Sequence, residues 1–159
     1  MVSEGETAPT FTAPLANGDV DEFDLGSAVE TDAPVVLAFF PGAFTSVCSH
    51  ELTEFQNRLS AFDDAGASVY GVSIDTPFAQ NEFRDKLGLS FGLVSDVNRE
   101  AIDTYDIAMD FESLGVYDVA KRAVFVVDGD GTVTYRWVSD DPGVEPDYDA
   151  VEDAAAEAA

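Results

Sequence analysis

Apolar residues along the chain fall into two patterns, short continuous runs and longer stretches with helical spacing. The run APVVLAFFP at 33–41 is typical of a strand buried on both faces of a sheet. Residues 46–65 carry apolar positions at helical intervals and stop at Gly66, so they predict one helix. A second apolar run, SVYGVSID at 68–75, predicts another buried strand. Strand, helix and strand in this order predict a parallel pair joined by a right-handed crossover. The predicted helix has six apolar residues in its stripe: Phe44, Val47, Leu52, Phe55, Leu59 and Phe62.

The rest of the chain alternates strand and helix signals in the same way. An Asn-Gly-Asp turn at 17–19 joins two short runs, 11–15 and 20–25, into a predicted hairpin. Residues 76–89 predict a helix because Pro77 lies near its start and Gly88 near its end. A short strand at 90–96 and a short helix at 98–105 follow. The alternating segment 122–138 predicts an antiparallel hairpin around an Asp-Gly-Asp-Gly turn.

These elements predict a single α/β domain over residues 1–159. We expect a mixed central sheet flanked by helices, with an added hairpin at the N-terminus. No repeat or internal linker interrupts the pattern. The acidic tail, residues 145–159, predicts a short helix that frays.

Charge is the most unusual feature of the composition. The 159 residues include 32 Asp and Glu against 7 Lys and Arg, a formal net charge of −25. The acids are spread along the whole chain, whereas an acidic decoy or a cation store favours clustered acids. We therefore interpret them as adaptation to a salty cytosol, where salt screens their mutual repulsion. Nucleic acid is excluded as a partner because no basic patch is available to neutralise phosphates.

Other features narrow the location and the kinds of site. No apolar run approaches the length of a membrane span, and the first residues do not resemble a signal peptide, so we expect a cytoplasmic protein. The lone cysteine, Cys48, excludes an intramolecular disulfide and any multi-cysteine metal site. Asp128 and Asp130 suggest a calcium loop, but an EF-hand needs glycine and glutamate where Val133 and Ser139 stand. We expect no metal and no cofactor.

Cys48 stands in the first turn of the predicted helix. Free amide groups and the helix dipole stabilise an anion there, and the thiolate is the reactive form of cysteine. Thr45 lies at or near the N-cap, where its hydroxyl can accept a bond from a backbone N–H. Free cysteines are also often small buried residues. Position alone leaves both interpretations open.

Candidate partners for the thiol come from the same helix and from a distant strand. His50 lies two residues on, about 200° around the helix, so we interpret it as a surface histidine. Glu51 is one turn from Cys48 and either shares its side of the helix or is a solvated acid. A tyrosine phosphatase loop is excluded because Glu54 stands where it requires arginine. Arg122 opens a predicted strand and either reaches the helix end or pairs with a surface acid.

The stretch PGAFTSVC, residues 41–48, reads Pro-x-x-x-Thr-x-x-Cys and resembles the active-site motif of the peroxiredoxins. Its place between a buried strand and a helix, Glu51, and Arg122 about seventy residues on also agree with that family. The flanking segments agree as well, so the likeness covers residues 5–138. The chain is most similar to single-cysteine members related to bacterioferritin-comigratory proteins and alkyl-hydroperoxide-reductase E-type enzymes.

The resemblance implies a thioredoxin-like fold and three catalytic roles. Cys48 is the peroxidatic cysteine. Thr45 positions the peroxide through its hydroxyl, and Arg122 stabilises the thiolate and the charge that develops on the peroxide. A thiolate attacking an O–O bond needs in-line geometry and donors aimed at both oxygens, which these groups supply without a metal or organic cofactor.

The resemblance also implies four residues that surround the substrate. Pro41 shields the pocket from water, and Glu51 helps to orient the arginine. Gly42 and Val47 are expected to line the peroxide-binding pocket. We expect these roles only because the residues stand at matching motif positions.

The implied activity is a thiol peroxidase that reduces hydrogen peroxide and organic hydroperoxides through a sulfenic acid. Thr53 stands where many relatives place a resolving cysteine, and the tail has no cysteine either. The sulfenic acid must therefore be resolved by an external thiol, either a small molecule or a thioredoxin-like protein. We expect a homodimer through the face around the active-site helix. Two rivals are a redox sensor that forms a mixed disulfide and an idle thioredoxin-fold binding module.

Overall fold

The computed structural model describes residues 1–159 as a mixed sheet with helices on both faces. The nine strands are β1 Thr12–Ala16, β2 Val20–Asp24, β3 Val35–Phe39, β4 Ser68–Ser73, β5 Leu93–Ser95, β6 Ala108–Phe111, β7 Val116–Ala120, β8 Arg122–Val127 and β9 Val133–Ser139. The six helices are α1 Leu25–Asp32, α2 Ser46–Asn57, α3 Leu59–Asp64, α4 Pro77–Leu87, α5 Glu100–Thr104 and α6 Tyr148–Ala158. A 3-10 turn, Glu112–Leu114, lies between β6 and β7.

Seven strands form the central sheet in the order β2-β1-β5-β4-β3-β8-β9. β3 pairs in parallel with β4, and β4 with β5, as the strand–helix–strand pattern predicts. β8 and β9 form the predicted antiparallel hairpin beside β3. β1 and β2 form the predicted N-terminal hairpin, which adds to the edge of β5. The thioredoxin-like fold expected from the sequence is therefore confirmed.

Each face of the sheet has its own apolar core, because side chains alternate along a strand. All five residues of β3 are buried, as expected for a strand covered on both faces. On one face, α1 and α5 pack with Phe11, Phe39 and Tyr105. On the other face, α2, α3, α4 and α6 pack with Phe40 and Phe55. The cysteine belongs to this second core, so the helices of one face position the thiol.

The predicted single helix over residues 46–65 is wrong, because the structure has two helices. α2 ends at Asn57, Arg58 leaves helical geometry with φ −99° and ψ 4°, and α3 begins at Leu59. Neither proline nor glycine marks this break, so the sequence gives no stop signal there. The predicted end at Gly66 is confirmed, since its φ of +74° is a left-handed conformation that glycine adopts without a Cβ clash.

The tail differs from the expected fraying helix. α6 is an 11-residue helix, capped where the Asp147 side chain accepts from the Ala150 N–H. Val151 and Ala155 are buried in the second core, and Tyr148 packs edge-on against Phe55 with ring centroids 5.5 Å apart. The acidic residues of α6 face away from the sheet, while Val151 and Ala155, four positions apart, pack into the second core.

Three elements, α1, β6 and β7, have no counterpart in the sequence prediction. α1 is short, and its main local signal is Asp24, whose side chain accepts from the Ser27 N–H at the N-terminus. β6 and β7 form a separate two-stranded sheet with an irregular register between Met109 and Phe111. That irregularity breaks the alternation by which strands are identified. No helix in the fold is long and apolar enough to cross a bilayer.

Candidate active site

The sheet topology places three chain segments at one edge. β3 ends at Phe39 and leads through the loop of residues 40–45 into α2. β8 runs antiparallel beside β3, with Ala123 opposite Phe39. The first residue of β8, Arg122, therefore lies level with that loop and with the start of α2. This arrangement brings together residues that are more than seventy positions apart in sequence.

Cys48 is in the first turn of α2, as the sequence predicts, and its residue is 1% exposed. The first backbone bond at this end runs from the Ser49 N–H to the Thr45 carbonyl, at 2.9 Å. Amides earlier in the turn have no carbonyl four residues before them within the helix, so they present positive partial charge near the sulfur. This end of the helix favours an anion at Cys48.

Arg122 is also 1% exposed, and each of its three nitrogen atoms has a hydrogen-bond partner. Its Nη2 lies 3.2 Å from the Cys48 sulfur, and its Nη1 donates to the Glu51 carboxylate at 3.2 Å. Nε and Nη2 also donate to the Pro142 carbonyl, at 3.1 and 2.9 Å. The alternative of a surface arginine is wrong, because the guanidinium is fixed from three directions.

Glu51 is fully buried, so the alternative of a solvated helix acid is wrong. Burial raises the pKa of Glu51 to about 7, although the charge of Arg122 and its hydrogen bond act in the opposite direction. Burial by itself lowers the pKa of Arg122, but the charges of Glu51 and Cys48 outweigh it, and the pKa is raised overall. One cation is thus shared by a carboxylate and a thiol sulfur.

Thr45 occupies the N-cap of α2, but its hydroxyl does not cap the helix. The hydroxyl instead donates to the Gly42 carbonyl at 2.9 Å. The predicted capping bond is wrong because the hydroxyl is turned back toward the loop. Its oxygen accepts no hydrogen bond within the protein, and Thr45 lines the cavity that also contains Cys48.

The residue before the cap, Phe44, is not part of the α2 stripe as the sequence suggested. Its φ is +68°, a left-handed conformation that is uncommon for a bulky residue, and its side chain is half exposed. The ring packs against Phe83 of α4 with centroids 5.1 Å apart, and the Lys86 ammonium lies 5.6 Å from it. The turn at Phe44 directs the chain from the loop into α2.

The Asp75 carboxylate, which sequence reasoning missed, holds the loop of residues 40–45 in place. Asp75 Oδ2 accepts from the Ala43 N–H at 2.8 Å and from the Ser73 hydroxyl at 2.7 Å. Gln80 of α4 donates in turn to Ser73 at 3.0 Å and to the Val94 carbonyl at 2.9 Å. The available signal was position, since Asp75 lies two residues beyond the end of the parallel strand β4, where α/β sheets place functional side chains.

Two adjoining cavities open at this edge of the sheet. The first, about 260 Å³, contains Cys48, Arg122 and Val47. The second, about 240 Å³, is lined by Pro41 and Gly42. Three residues border both cavities: Thr45, Phe111 and Leu114. The structure therefore brings all seven sequence-predicted site residues to one region, but Pro41 and Gly42 line the neighbouring cavity, and Glu51 lies beneath the first.

His50 is on the outer side of α2, as its position two residues from Cys48 predicts. Its side chain is 65% exposed, and its Nδ1 lies 2.5 Å from a Glu145 carboxylate oxygen. The hydrogen bond and charge of Glu145 raise the pKa of His50. No group of three or more His, Cys, Asp and Glu side chains is arranged to hold a metal ion.

Comparison with known proteins agrees with this geometry. Residues 5–136 match the AhpC/TSA family. The chain is 35% identical over 145 residues to alkyl hydroperoxide reductase C of Helicobacter pylori strain J99, a match that covers 85% of this chain and 70% of that protein. It is 33% identical over 133 residues to a Mycobacterium tuberculosis protein named as a peroxiredoxin. This match covers 83% of this chain and 82% of that protein.

Solved structures give the same result for the fold. Peroxidoxin BcpB from Mycobacterium tuberculosis superposes with a TM-score of 0.81 at 27% identity, over 98% of this chain and 96% of that one. AhpC of Enterococcus faecalis superposes with a TM-score of 0.84 over 99% of this chain and 93% of that one. The sequence identity is 20%, so this match supports the fold alone.

Proposed function

Because the chain belongs to the AhpC/TSA family and is a thiol peroxidase of the peroxiredoxin type, we propose that Cys48 attacks hydrogen peroxide and organic hydroperoxides with Arg122 and Thr45 as its catalytic partners. The observation that carries this assignment is the 3.2 Å contact between the buried guanidinium and the sulfur. A thiolate beside a desolvated cation at a helix N-terminus is both stabilised and aimed.

The first half of the reaction forms a bond between sulfur and oxygen. The Cys48 thiolate attacks the terminal peroxide oxygen, the O–O bond breaks, and its electron pair leaves on the second oxygen. That oxygen takes a proton from solvent and departs as water or an alcohol, and the sulfur is oxidised to a sulfenic acid. Arg122 stabilises the charge on the leaving oxygen, while the Thr45 hydroxyl oxygen accepts a hydrogen bond from the hydroperoxide O–H, whose proton stays on the sulfenic acid.

The second half returns the sulfur to its reduced state with external thiols. One thiol attacks the sulfenic acid, water leaves, and a mixed disulfide forms. A second thiol then releases Cys48 as a disulfide forms between the two reductant sulfurs. A one-cysteine cycle follows from the single cysteine of the chain. We propose a low-molecular-weight thiol or a thioredoxin-like protein as the reductant.

We also propose that the protein forms a homodimer through the surface around the openings of the two active-site cavities. Five large apolar side chains are exposed in the segments that border these openings: Phe44, Leu114, Val116, Tyr117 and Val144. Exposed apolar residues gathered in this way support an interface. Sedimentation in molar KCl tests it. A dimer that Tyr117→Glu dissociates is expected, and a monomer at every concentration contradicts the proposal.

The net charge of −25 supports a cytoplasmic enzyme adapted to high salt. Mutual repulsion of the acids destabilises the compact state in dilute buffer. The free energy of unfolding should therefore rise with KCl and level off near about 1 M, where the Debye length is about 3 Å. A stability that KCl leaves unchanged would contradict the adaptation.

The direct test mixes reduced protein with one equivalent of hydrogen peroxide in molar KCl and follows peroxide loss and intact mass. We expect rapid stoichiometric loss and one added oxygen, both absent in Cys48→Ser. A reaction no faster than that of a free small thiol would contradict the role of Cys48 and favour a binding module. Fast oxidation followed by no turnover with any reductant would favour a redox sensor.

A further inference from the structure

The two cavities at the active-site edge differ in the charged side chains that line them. Arg122 lines the cavity that contains Cys48, and its positive charge is shared by the Cys48 sulfur and the buried Glu51. Asp75 is the only charged residue lining the adjoining cavity, whose other side chains include Ile74, Val116 and Val119. A site with a guanidinium for the reacting oxygens thus adjoins an apolar chamber with one carboxylate.

The chambers adjoin along one wall. Thr45, Phe111 and Leu114 border both of them, so a molecule whose O–O group lies at Cys48 can extend past these residues into the second chamber. The second chamber has a volume of about 240 Å³. This space exceeds the needs of hydrogen peroxide and suits the organic part of a larger hydroperoxide.

Asp75 is fixed in this chamber. Its Oδ2 accepts from the Ala43 N–H at 2.8 Å and from the Ser73 hydroxyl at 2.7 Å. Both donors to the Asp75 carboxylate are neutral groups, and no Lys or Arg side chain pairs with it. The chamber therefore has a local negative charge beside its apolar lining, and like charges repel strongly where water is partly excluded.

On these observations, and resting on the proposed peroxidase function, we propose that the second chamber binds the uncharged organic group of a hydroperoxide and that Asp75 excludes hydroperoxides with an anionic group there. A carboxylate on the organic part is repelled by Asp75. It therefore disfavours the orientation in which the O–O group lies at Cys48. Asp75 is a specificity-determining residue in this assignment.

The test compares compact aryl hydroperoxides that differ only in a para substituent. Cumene hydroperoxide, its para-carboxylate and the methyl ester of that carboxylate are each reacted with reduced protein, and the second-order rate of Cys48 oxidation is measured. We expect the carboxylate to react about tenfold more slowly than the ester, as for like charges roughly 7 Å apart in a partly solvated site. Equal rates for carboxylate and ester would overturn the proposal.

The overall charge of −25 also repels anions, so the measurement is made in molar KCl. Salt at that concentration screens charges that are separated through solvent, but it screens those inside a chamber less. A carboxylate penalty that disappears in molar KCl would assign the effect to the whole surface and would overturn the role of Asp75.

Asp75→Asn keeps an oxygen that can accept from Ala43 and removes the charge. We expect the carboxylate-to-ester rate ratio to rise about tenfold in this variant. Asp64→Asn, which removes an exposed acid on α3, is the matched control and should leave the ratio unchanged. A ratio that Asp75→Asn does not move would overturn the proposal.

Hydrogen peroxide separates this proposal from the proposed function. It has no organic part, so its reaction with the unmodified protein tests only Cys48 and its catalytic partners. Fast hydrogen peroxide reduction with no discrimination between carboxylate and ester leaves the peroxidase assignment intact and overturns the specificity role. Slow reaction with hydrogen peroxide contradicts the function itself.

Discussion

Two arginines of this protein pair with acids, Arg58 with three and Arg122 with one, and their surroundings differ. Arg58, between α2 and α3, bonds Glu54 at 2.9 Å and Asp149 at 2.7 Å, and it lies 3.4 Å from Glu152. Its side chain is 27% exposed, and that of Asp149 is 83% exposed. Arg122 and Glu51 are 1% and 0% exposed at a longer separation of 3.2 Å.

The difference teaches that burial, rather than distance or the number of partners, decides what an ion pair does. Exposed pairs gain little because water and salt screen them. A buried pair has lost its hydration, so its two charges depend on each other and removal of one leaves the other uncompensated. The first arrangement fastens α6 to the helices beside it. The second holds a positive charge against Cys48.

The largest effect is expected when the buried arginine is removed. Arg122→Met leaves Glu51 buried without its cation, and the free energy of unfolding should fall by about 3–5 kcal/mol. Peroxide reduction should slow at least about 100-fold, since Arg122 is proposed to be a main donor to the reacting oxygens. Urea denaturation at pH 8 and stopped-flow peroxide kinetics measure the two effects. Arg122→Lys keeps the charge and should recover stability more than rate.

Thr45→Val should lower the peroxide rate by about 100-fold with a small effect on unfolding, because the variant lacks the partly exposed hydroxyl that is proposed to contact the substrate. The bond from this hydroxyl to the Gly42 carbonyl is also lost, and such a bond contributes about 1 kcal/mol. Thr45→Ser keeps the hydroxyl and should stay close to the unmodified enzyme. Equal rates for the valine and serine variants would contradict the catalytic role.

The buried pair should also give stability a pH dependence. The pKa of Glu51 is raised from 4.5 to about 7 in the folded protein. Glu51 therefore contributes about 3 kcal/mol to the free energy of unfolding below about pH 4.5. This contribution is lost as the pH rises through about 7. Relative to Glu51→Gln, the unmodified protein should lose stability between pH 4.5 and 7.5. A stability difference that stays constant over this range would contradict the shifted pKa.

The smallest effect is expected at the exposed arginine. Arg58→Met should lower the free energy of unfolding by about 1 kcal/mol or less, since each exposed pair contributes little. Molar KCl should reduce even that difference. The peroxide rate should not change, because Arg58 does not line either cavity. A large loss of activity in this variant would show that the two arginines are coupled.

Sequence reasoning correctly predicted the strands and helices around the site, because their sequence signals are local. The continuous apolar run that became β3 and the Pro77 and Gly88 signals around α4 each depend on neighbouring residues only. Cys48 in the first turn of α2 was predicted in the same way. The break at Arg58 was missed because it depends on packing among α2, α3 and α6 and has no proline or glycine signal.

The partners of the site residues needed the fold. Periodicity could not decide whether Glu51 is buried, since an acid one turn from Cys48 faces either solvent or a buried cation. The resemblance assigned Arg122 a role, but only the antiparallel pairing of β8 with β3 explains why it reaches the sulfur. Asp75 was missed because its bond to the Ala43 N–H joins segments 32 residues apart.

The most direct test of the central claim compares two reactions of Cys48. The rates with hydrogen peroxide and with iodoacetamide are measured for the unmodified protein and for Arg122→Met in molar KCl. Arg122 is proposed to stabilise both the thiolate and the leaving oxygen, whereas alkylation needs only the thiolate. We predict that the peroxide rate falls at least about tenfold more than the alkylation rate. Equal losses in the two reactions would contradict a direct role of Arg122 at the peroxide.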